Sequence, residues 1–261
     1  MSDSETEPVL VREQRDAVLV LRLNRPEARN ALNGELLNSL GNAMADAEED
    51  PGIRCVVLTG TGDKAFCAGM DLRAFSQGEA MTMDERGSDG FSRFTKSAIK
   101  VPIVGAAQAT AVAGGFELLM GCDVVVAADT AKFGIPEVKR GLFAAGGGVF
   151  LGARIPLALA MELALTGDTV DAGRAAAIGL INQVVPAAEV LDAAIALAER
   201  IAANGPLALA ATKELVRLSM TDMAAAEKRL GELMPGVFGS NDAKEGSTAF
   251  IEKRPAVWTG T

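Results

Sequence analysis

"AVAGGFELLMGCDVVVA" occupies residues 111–127, and its reading decides the fold. Two glycines, Gly114 and Gly115, open the short apolar run "FELLMG", which reads as a helix. "CDVVVAAD" (122–129) follows as a buried strand. Upstream, "VPIVGAAQ" (101–108) is a second such strand. The tract 101–122 is long enough to cross a bilayer, but its glycines, Gln108 and Glu117 predict a buried strand, a turn and a helix instead. One carboxylate, Glu117, stands in this apolar stretch. Full burial of a glutamate without compensation costs several kcal/mol, roughly, so Glu117 either reaches a surface or has a chemical task.

Outward from this segment, strands alternate with helices. "VLVRE" (9–13) and "AVLVLRLN" (17–24) predict paired strands around "QRD". In "NGELLNSLGNAMADAEED" (33–50), Leu36, Leu37, Leu40, Met44 and Ala47 recur at helical spacing, and Asn33 suits the N-cap. "IRCVVLTG" (53–60) is a short buried strand. Such alternation requires crossover connections and a sheet that is at least partly parallel, an α/β fold. Between Phe75 and Ser92 the polar, Gly-punctuated sequence predicts a mobile loop or short helix. Beyond about residue 155 the strand signal fades. "PAAEVLDAAIALAERIAANGP" (186–206) is the clearest helix there, with further helices around 206–219, 221–234 and 240–252.

Composition narrows the chemistry. The chain has 261 residues and no histidine or tyrosine, which excludes Ser-His-Asp and Cys-His machinery. Acid–base work falls to carboxylates, lysine or cysteine. Three cysteines without metal-ligand spacing fit free thiols in a reducing compartment. A net charge of −9 supplies no overall drive for binding nucleic acid. The acidic "MSDSETEPVLVRE" (1–13) resembles neither a secretory signal nor a transit peptide, and a cytoplasmic, non-membrane protein is expected.

Three further segments carry possible chemistry. "GTGDKA" (60–65) fits a dinucleotide fingerprint on paper, but no helix follows at once. "KAFCAGMDL" (64–72) reads either as an ordinary strand-to-helix turn or as a loop whose small Ala68 and Gly69 let a ligand approach the main chain. In "AKFGIPEVKRG" (131–141), Glu137 follows Pro136 and is either held by a stiff turn or solvated beside Lys139 and Arg140. For Glu117, complementing the helix dipole and taking part in catalysis are equally compatible with its place in a first turn. Spacing alone does not show that the two glutamates meet.

Together "NRPEARNAL" (24–32), "KAFCAGMDL", "AVAGGFELLMGCDVVVA" and "FGIPEVKRGL" (133–142) resemble the crotonase (enoyl-CoA hydratase/isomerase) family, and the resemblance runs on to "AFIEKRPAVW" (249–258). It implies a spiral of ββα units over residues 1–200 with an acyl-CoA site. It also implies a helical region over 201–261 that builds a homotrimer or a dimer of trimers. By the same resemblance, the amides of Ala68 and Gly114 form an oxyanion hole for the thioester, and Glu117 and Glu137 are catalytic. Ala28, Ala65, Ala68, Gly69, Met70, Asp71, Leu72 and Gly114 adjoin the substrate, and Lys253 meets a phosphate. Phe116 and Phe143 narrow the acyl pocket. The implied reaction is hydration of a 2-enoyl-CoA, with double-bond isomerisation or non-catalytic acyl-CoA binding as alternatives. No metal or redox cofactor is implied, since coenzyme A is part of the substrate.

Overall fold

A computed structural model describes residues 7–77 and 81–261. Residues 1–6, half of the segment expected to carry no targeting signal, lie outside the described residues, as do 78–80.

The expected hairpin joins β1 (Leu10–Arg15) to β2 (Val18–Leu23) in antiparallel register from Leu10↔Leu23 to Arg15↔Val18. From β2 onward every addition is parallel: β3 (Cys55–Gly60), β4 (Ile103–Ala107), β6 (Val124–Ala128) and β9 (Gln183–Val185) extend the sheet in the order β1-β2-β3-β4-β6-β9. β3 and β4 are buried along their whole length, the pattern of parallel strands covered on both faces. A second, small sheet joins β5 (Ala111–Val112) in parallel to β7 (Lys132–Gly134), which pairs antiparallel with β8 (Val170–Asp171). The fading strand signal after residue 155 hid β8 and β9. Strands of two and three residues are too short to display a period.

α1 (Gly34–Glu49) starts as expected, with the Asn33 side chain accepting the Leu36 N–H at 3.0 Å. Its stripe of Leu36, Leu40 and Met44 is fully buried, each residue gaining about 1.5–3 kcal/mol over exposure. In the Gly-punctuated segment beyond Phe75 the helix alternative holds over residues 85–92. α2 (Leu72–Ser76) precedes it and α3 (Glu85–Thr95) ends it. The glycines there serve contact, not turning. α3 packs so closely on α1 that a β-carbon on Gly90 would lie 2.1 Å from the Gly41 carbonyl oxygen, and one on Gly41 would lie 1.9 Å from that of Gly87. α4 (Gly114–Gly121) follows β5.

The carboxy-terminal half is helical, with α5 (Leu157–Thr166) and α6 (Ala172–Ala177) leading to α7 (Val190–Ala202). The turn at Ala187–Glu189 is 3₁₀, so this helix starts four residues later than Pro186 suggested. Its stripe of Val190, Ala194, Ile195 and Ala198 is buried, and the helix lies along β3, β4 and β6. α8 (Pro206–Ser219), α9 (Met223–Phe238) and α10 (Asn241–Glu252) complete the chain, and the Trp258 indole is held by the Ala203 carbonyl at 2.8 Å. Among the described residues no helix is long and apolar enough to cross a membrane.

The α1–α3 contact predicts that Gly90→Ala separates the two helices at a cost of about 1–3 kcal/mol. Urea denaturation should show a lowered midpoint with an unchanged slope.

Candidate active site

The four sequence segments singled out above converge through main-chain pairing. Cys67 bridges Ala111 in parallel, with Phe66 N–H donating to Thr110 at 2.9 Å and Val112 N–H donating to Cys67 at 3.2 Å. β5 is flanked on its other side by β7, and Ala113 N–H donates to Gly134 at 2.9 Å, three residues before Glu137. On the outer side of the 67–71 loop, Leu32 N–H donates to Gly69 at 2.8 Å and Asp71 N–H donates to Leu32 at 2.9 Å.

Asn30 anchors this assembly. It is wholly buried, and its amide nitrogen reaches the carbonyls of Thr61, Ala65 and Phe66 at 3.0–3.1 Å while its oxygen accepts the Arg25 N–H at 3.0 Å. The Arg25 guanidinium in turn pairs with Asp71 at 3.1 Å, and Asp71 caps α2 through the amides of Arg73 and Ala74. Asp71 therefore braces the loop. Ala65, expected beside the substrate, is buried, with its carbonyl taken by Asn30 and Gln108. Neither Asn30 nor Arg25 was singled out from sequence. The only signal was their place in "NRPEARNAL".

Two main-chain donors remain without partners where the loop meets α4. Gly114 is the first residue of α4, whose opening amides have no intrahelical acceptor. On the loop side the expected donor, Ala68, is corrected: its N–H is given to the Arg29 carbonyl at 3.1 Å. Among the described residues the Met70 N–H makes no hydrogen bond, so Met70 replaces Ala68 as the free amide. Gly69 brings the two segments together. It has φ +88°, and a β-carbon there would lie 3.1 Å from the Gly114 nitrogen. Gly115 is tighter still, its hypothetical β-carbon falling 2.1 Å from the Cys67 carbonyl oxygen. The left-handed turn before the helix is made not by either glycine of the pair but by Ala113, at φ 52°, a conformation costing about 1–3 kcal/mol.

Glu117 lies in the first turn of α4, only 7% exposed. Its Oε1 accepts the Gly148 N–H at 2.8 Å. Burial pushes its pKa up, against the amides of Gly148 and Gly146, which favour the charged form. Glu137 sits in a 3₁₀ turn, Pro136–Arg140, half-buried. Lys139 is engaged by Asp168 at 2.5 Å, so the solvated-cluster reading of Glu137 does not hold. The Oε2 of Glu137 is buried with no hydrogen-bond partner among the described residues. Burial pushes its pKa up, its own backbone amide opposes the rise, and the nearby charge of Glu117 adds to it. The two carboxyl groups thus share one site. Burial raises both carboxyl groups, and at Glu117 the Gly148 amide favours the charged form.

Other expectations divide. Ala28 lies half-buried in the Pro26–Ala28 turn beside the loop, and Leu72 is exposed at its end. Phe116 does not line the site: it is 2% exposed and packs on Phe133 with ring centroids 6.1 Å apart. Phe143 is 69% exposed. Lys253 caps the far end of α10, exposed, and no hydrogen bond or ion pair among the described residues joins it to residues 65–72. Among the described residues no group of histidine, cysteine and carboxylate side chains is placed to hold a metal.

The enoyl-CoA hydratase/isomerase family model matches residues 13–261. The chain belongs to this family. It is 40% identical to enoyl-CoA hydratase EchA19 of Mycobacterium tuberculosis over 97% of both chains. It is 38% identical to the carnitinyl-CoA dehydratase of Proteus mirabilis over 94% of this chain and 96% of that one. Among solved structures, enoyl-CoA hydratase EchA1 of Mycobacterium marinum superposes with a TM-score of 0.91 at 47% identity, covering 98% of this chain and all of that one. The family's crotonase-like α/β fold is therefore this chain's fold, and the chain is an enzyme of the hydro-lyase type.

Both carboxyl pKa values are raised by folding, so the folded state binds more protons than the unfolded one above the ordinary glutamate value of 4.5, and stability falls as pH rises through that window. Glu137→Gln should therefore raise the melting temperature relative to the parent at pH 8, with the difference shrinking toward pH 4. Asn30→Asp should lower it at pH 8, because a carboxylate would face three carbonyl oxygens.

Proposed function

We propose that the enzyme adds water reversibly across the double bond of a trans-2-enoyl-CoA thioester, giving the 3-hydroxyacyl-CoA. What carries the reading is the pairing of two buried carboxyl groups of unequal surroundings, Glu117 and Glu137, beside two unpartnered amides, Met70 and Gly114. The names of the relatives, hydratases and a carnitinyl-CoA dehydratase, describe the same reaction type in its two directions.

In this mechanism the thioester oxygen lies between the Met70 and Gly114 amides. Negative charge that develops on it in the enolate-like state meets donors already in place, reinforced by the positive end of α4. In other enzymes removal of one such donor costs about 3–4 kcal/mol. Glu117 takes a proton from the water that attacks C3. Glu137 supplies the proton to C2. Dehydration reverses both roles. The buried Oε2 of Glu137, with no hydrogen-bond partner among the described residues, is the atom assigned to that transfer. The three thiols take no part, since burial lifts each to about 12.

The CoA portion is assigned to the exposed side of the 68–72 loop and to the adjoining Pro26–Leu32 segment. Residues 201–261 are assigned to oligomerisation as a homotrimer or a dimer of trimers. In support, α9 and α10 expose the large apolar side chains of Met223, Leu230, Phe238, Phe250 and Ile251 at 52–85%.

With crotonyl-CoA and longer trans-2-enoyl-CoAs, loss of absorbance of the conjugated thioester should report hydration. Glu117→Gln and Glu137→Gln should each lower kcat by about 10²–10⁴-fold while leaving acyl-CoA binding in place. A folded parent protein that binds CoA thioesters yet hydrates none of them removes the hydratase reading. Conversion of a 3-enoyl-CoA to the conjugated product without hydration would put isomerisation in its place.

A further inference from the structure

Each hydration consumes one water at Glu117 at a moment when the enoyl thioester lies across the Met70 and Gly114 amides. A chamber of about 750 Å³ reaches Glu117 from elsewhere. Its inner end is formed by Glu117, Met120, Gly147 and Phe150, whereas Met70, Gly114 and Glu137 take no part in its wall. Its outer end is ringed by Lys96, Ala98, Lys100 and Thr221, all exposed in the single chain.

Part of the wall is charged. Lys213 is largely buried; its ammonium donates to Asp123 at 2.7 Å and to the Val101 carbonyl at 3.1 Å, leaving one N–H unspent. Arg217 joins the same carboxylate at 2.8 Å. Arg154 donates through a single nitrogen to the carbonyls of Met120 and Cys122, at the end of α4, and its other donors have no partner among the described residues. Charged groups withdrawn from bulk solvent with donors to spare draw ordered water into a cavity of this size. Arg154 also ties the chamber wall to the last carbonyls of the helix whose first turn carries Glu117.

We propose that this chamber is the route by which water reaches Glu117, and by which its proton leaves, while acyl-CoA occupies the other side of the carboxylate. The proposal rests on the hydratase reading. In the step, an O–H bond of chamber water breaks and its proton goes to Glu117, while the oxygen bonds to C3. The C2=C3 electron pair moves onto the thioester oxygen and returns to form the C2–H bond with the proton of Glu137. Glu117 is left protonated and Glu137 ionised. Chamber water carries the first proton to solvent, and solvent restores the second once product has left.

Ala153→Phe and Ala210→Phe narrow the chamber from two separate elements, residue 153 being an exposed position that tolerates bulk. In each, kcat for crotonyl-CoA hydration should fall about tenfold or more. The Kd for butyryl-CoA and the exchange of its C2 proton for solvent deuterium should stay at parent values, because neither needs an attacking water. Parent-level kcat in both folded variants overturns the proposal. Weakened butyryl-CoA binding also overturns it, making the chamber a pocket for the acyl tail. A parent enzyme that hydrates no enoyl-CoA is a different result, because it defeats the hydratase reading itself.

Discussion

The contact between the Cys67 carbonyl and Gly115 sets the geometry of everything around it. Main chain meets main chain there with no room for a β-carbon. This closeness lets Cys67 pair with Ala111 and sets the loop carrying the Met70 amide against the first turn of α4. It also accounts for the strain at Ala113. With β5 paired to both neighbours, the chain must turn sharply to start the helix, and the left-handed φ falls on the residue at the junction. A fold held by parallel strands on one side and buried helices on the other is stiff enough to bear that cost.

Upon this frame the electrostatics follow. A chain without histidine must tune carboxyl groups to do proton chemistry near neutral pH, and burial is the means at hand. Glu117 and Glu137 are both lifted by desolvation, but their hydrogen-bond surroundings differ. Two amides steady one carboxylate, while the other has a buried oxygen with none. The proposed division into base and acid falls on two identical side chains in different hydrogen-bond surroundings. The price is a folded state that grows less stable as pH rises above the ordinary glutamate range.

Much of this was legible beforehand, for reasons that differ by element. Asn33 and its apolar stripe announced α1 because capping and a 3.6-residue period are local properties. The long buried strands β3, β4 and β6 announced themselves as uninterrupted apolar runs. The small second sheet was invisible, since its strands are stabilised by partners remote in sequence. α3 was obscured because glycines that pack against a neighbouring helix look, in one dimension, like glycines that break a chain. Phe116 was placed in the pocket when it belongs to the core: it adjoins Glu117 in the chain, but successive helical positions face different ways.

The sequence by itself determined the class of fold through periodicity, and its ordered motifs marked the family and, by resemblance, the two acids of the proposed chemistry, because these are written in one dimension. Only the tertiary structure decided which loop amide is left free. Ala68 and Met70 are two residues apart and chemically alike as donors, and the difference is that Arg29, nearly forty positions away, offers its carbonyl to one of them. Hydrogen-bond partnership depends on where distant backbone arrives, and so does the burial that lifts Glu117 and Glu137. Neither is a property of the residues themselves.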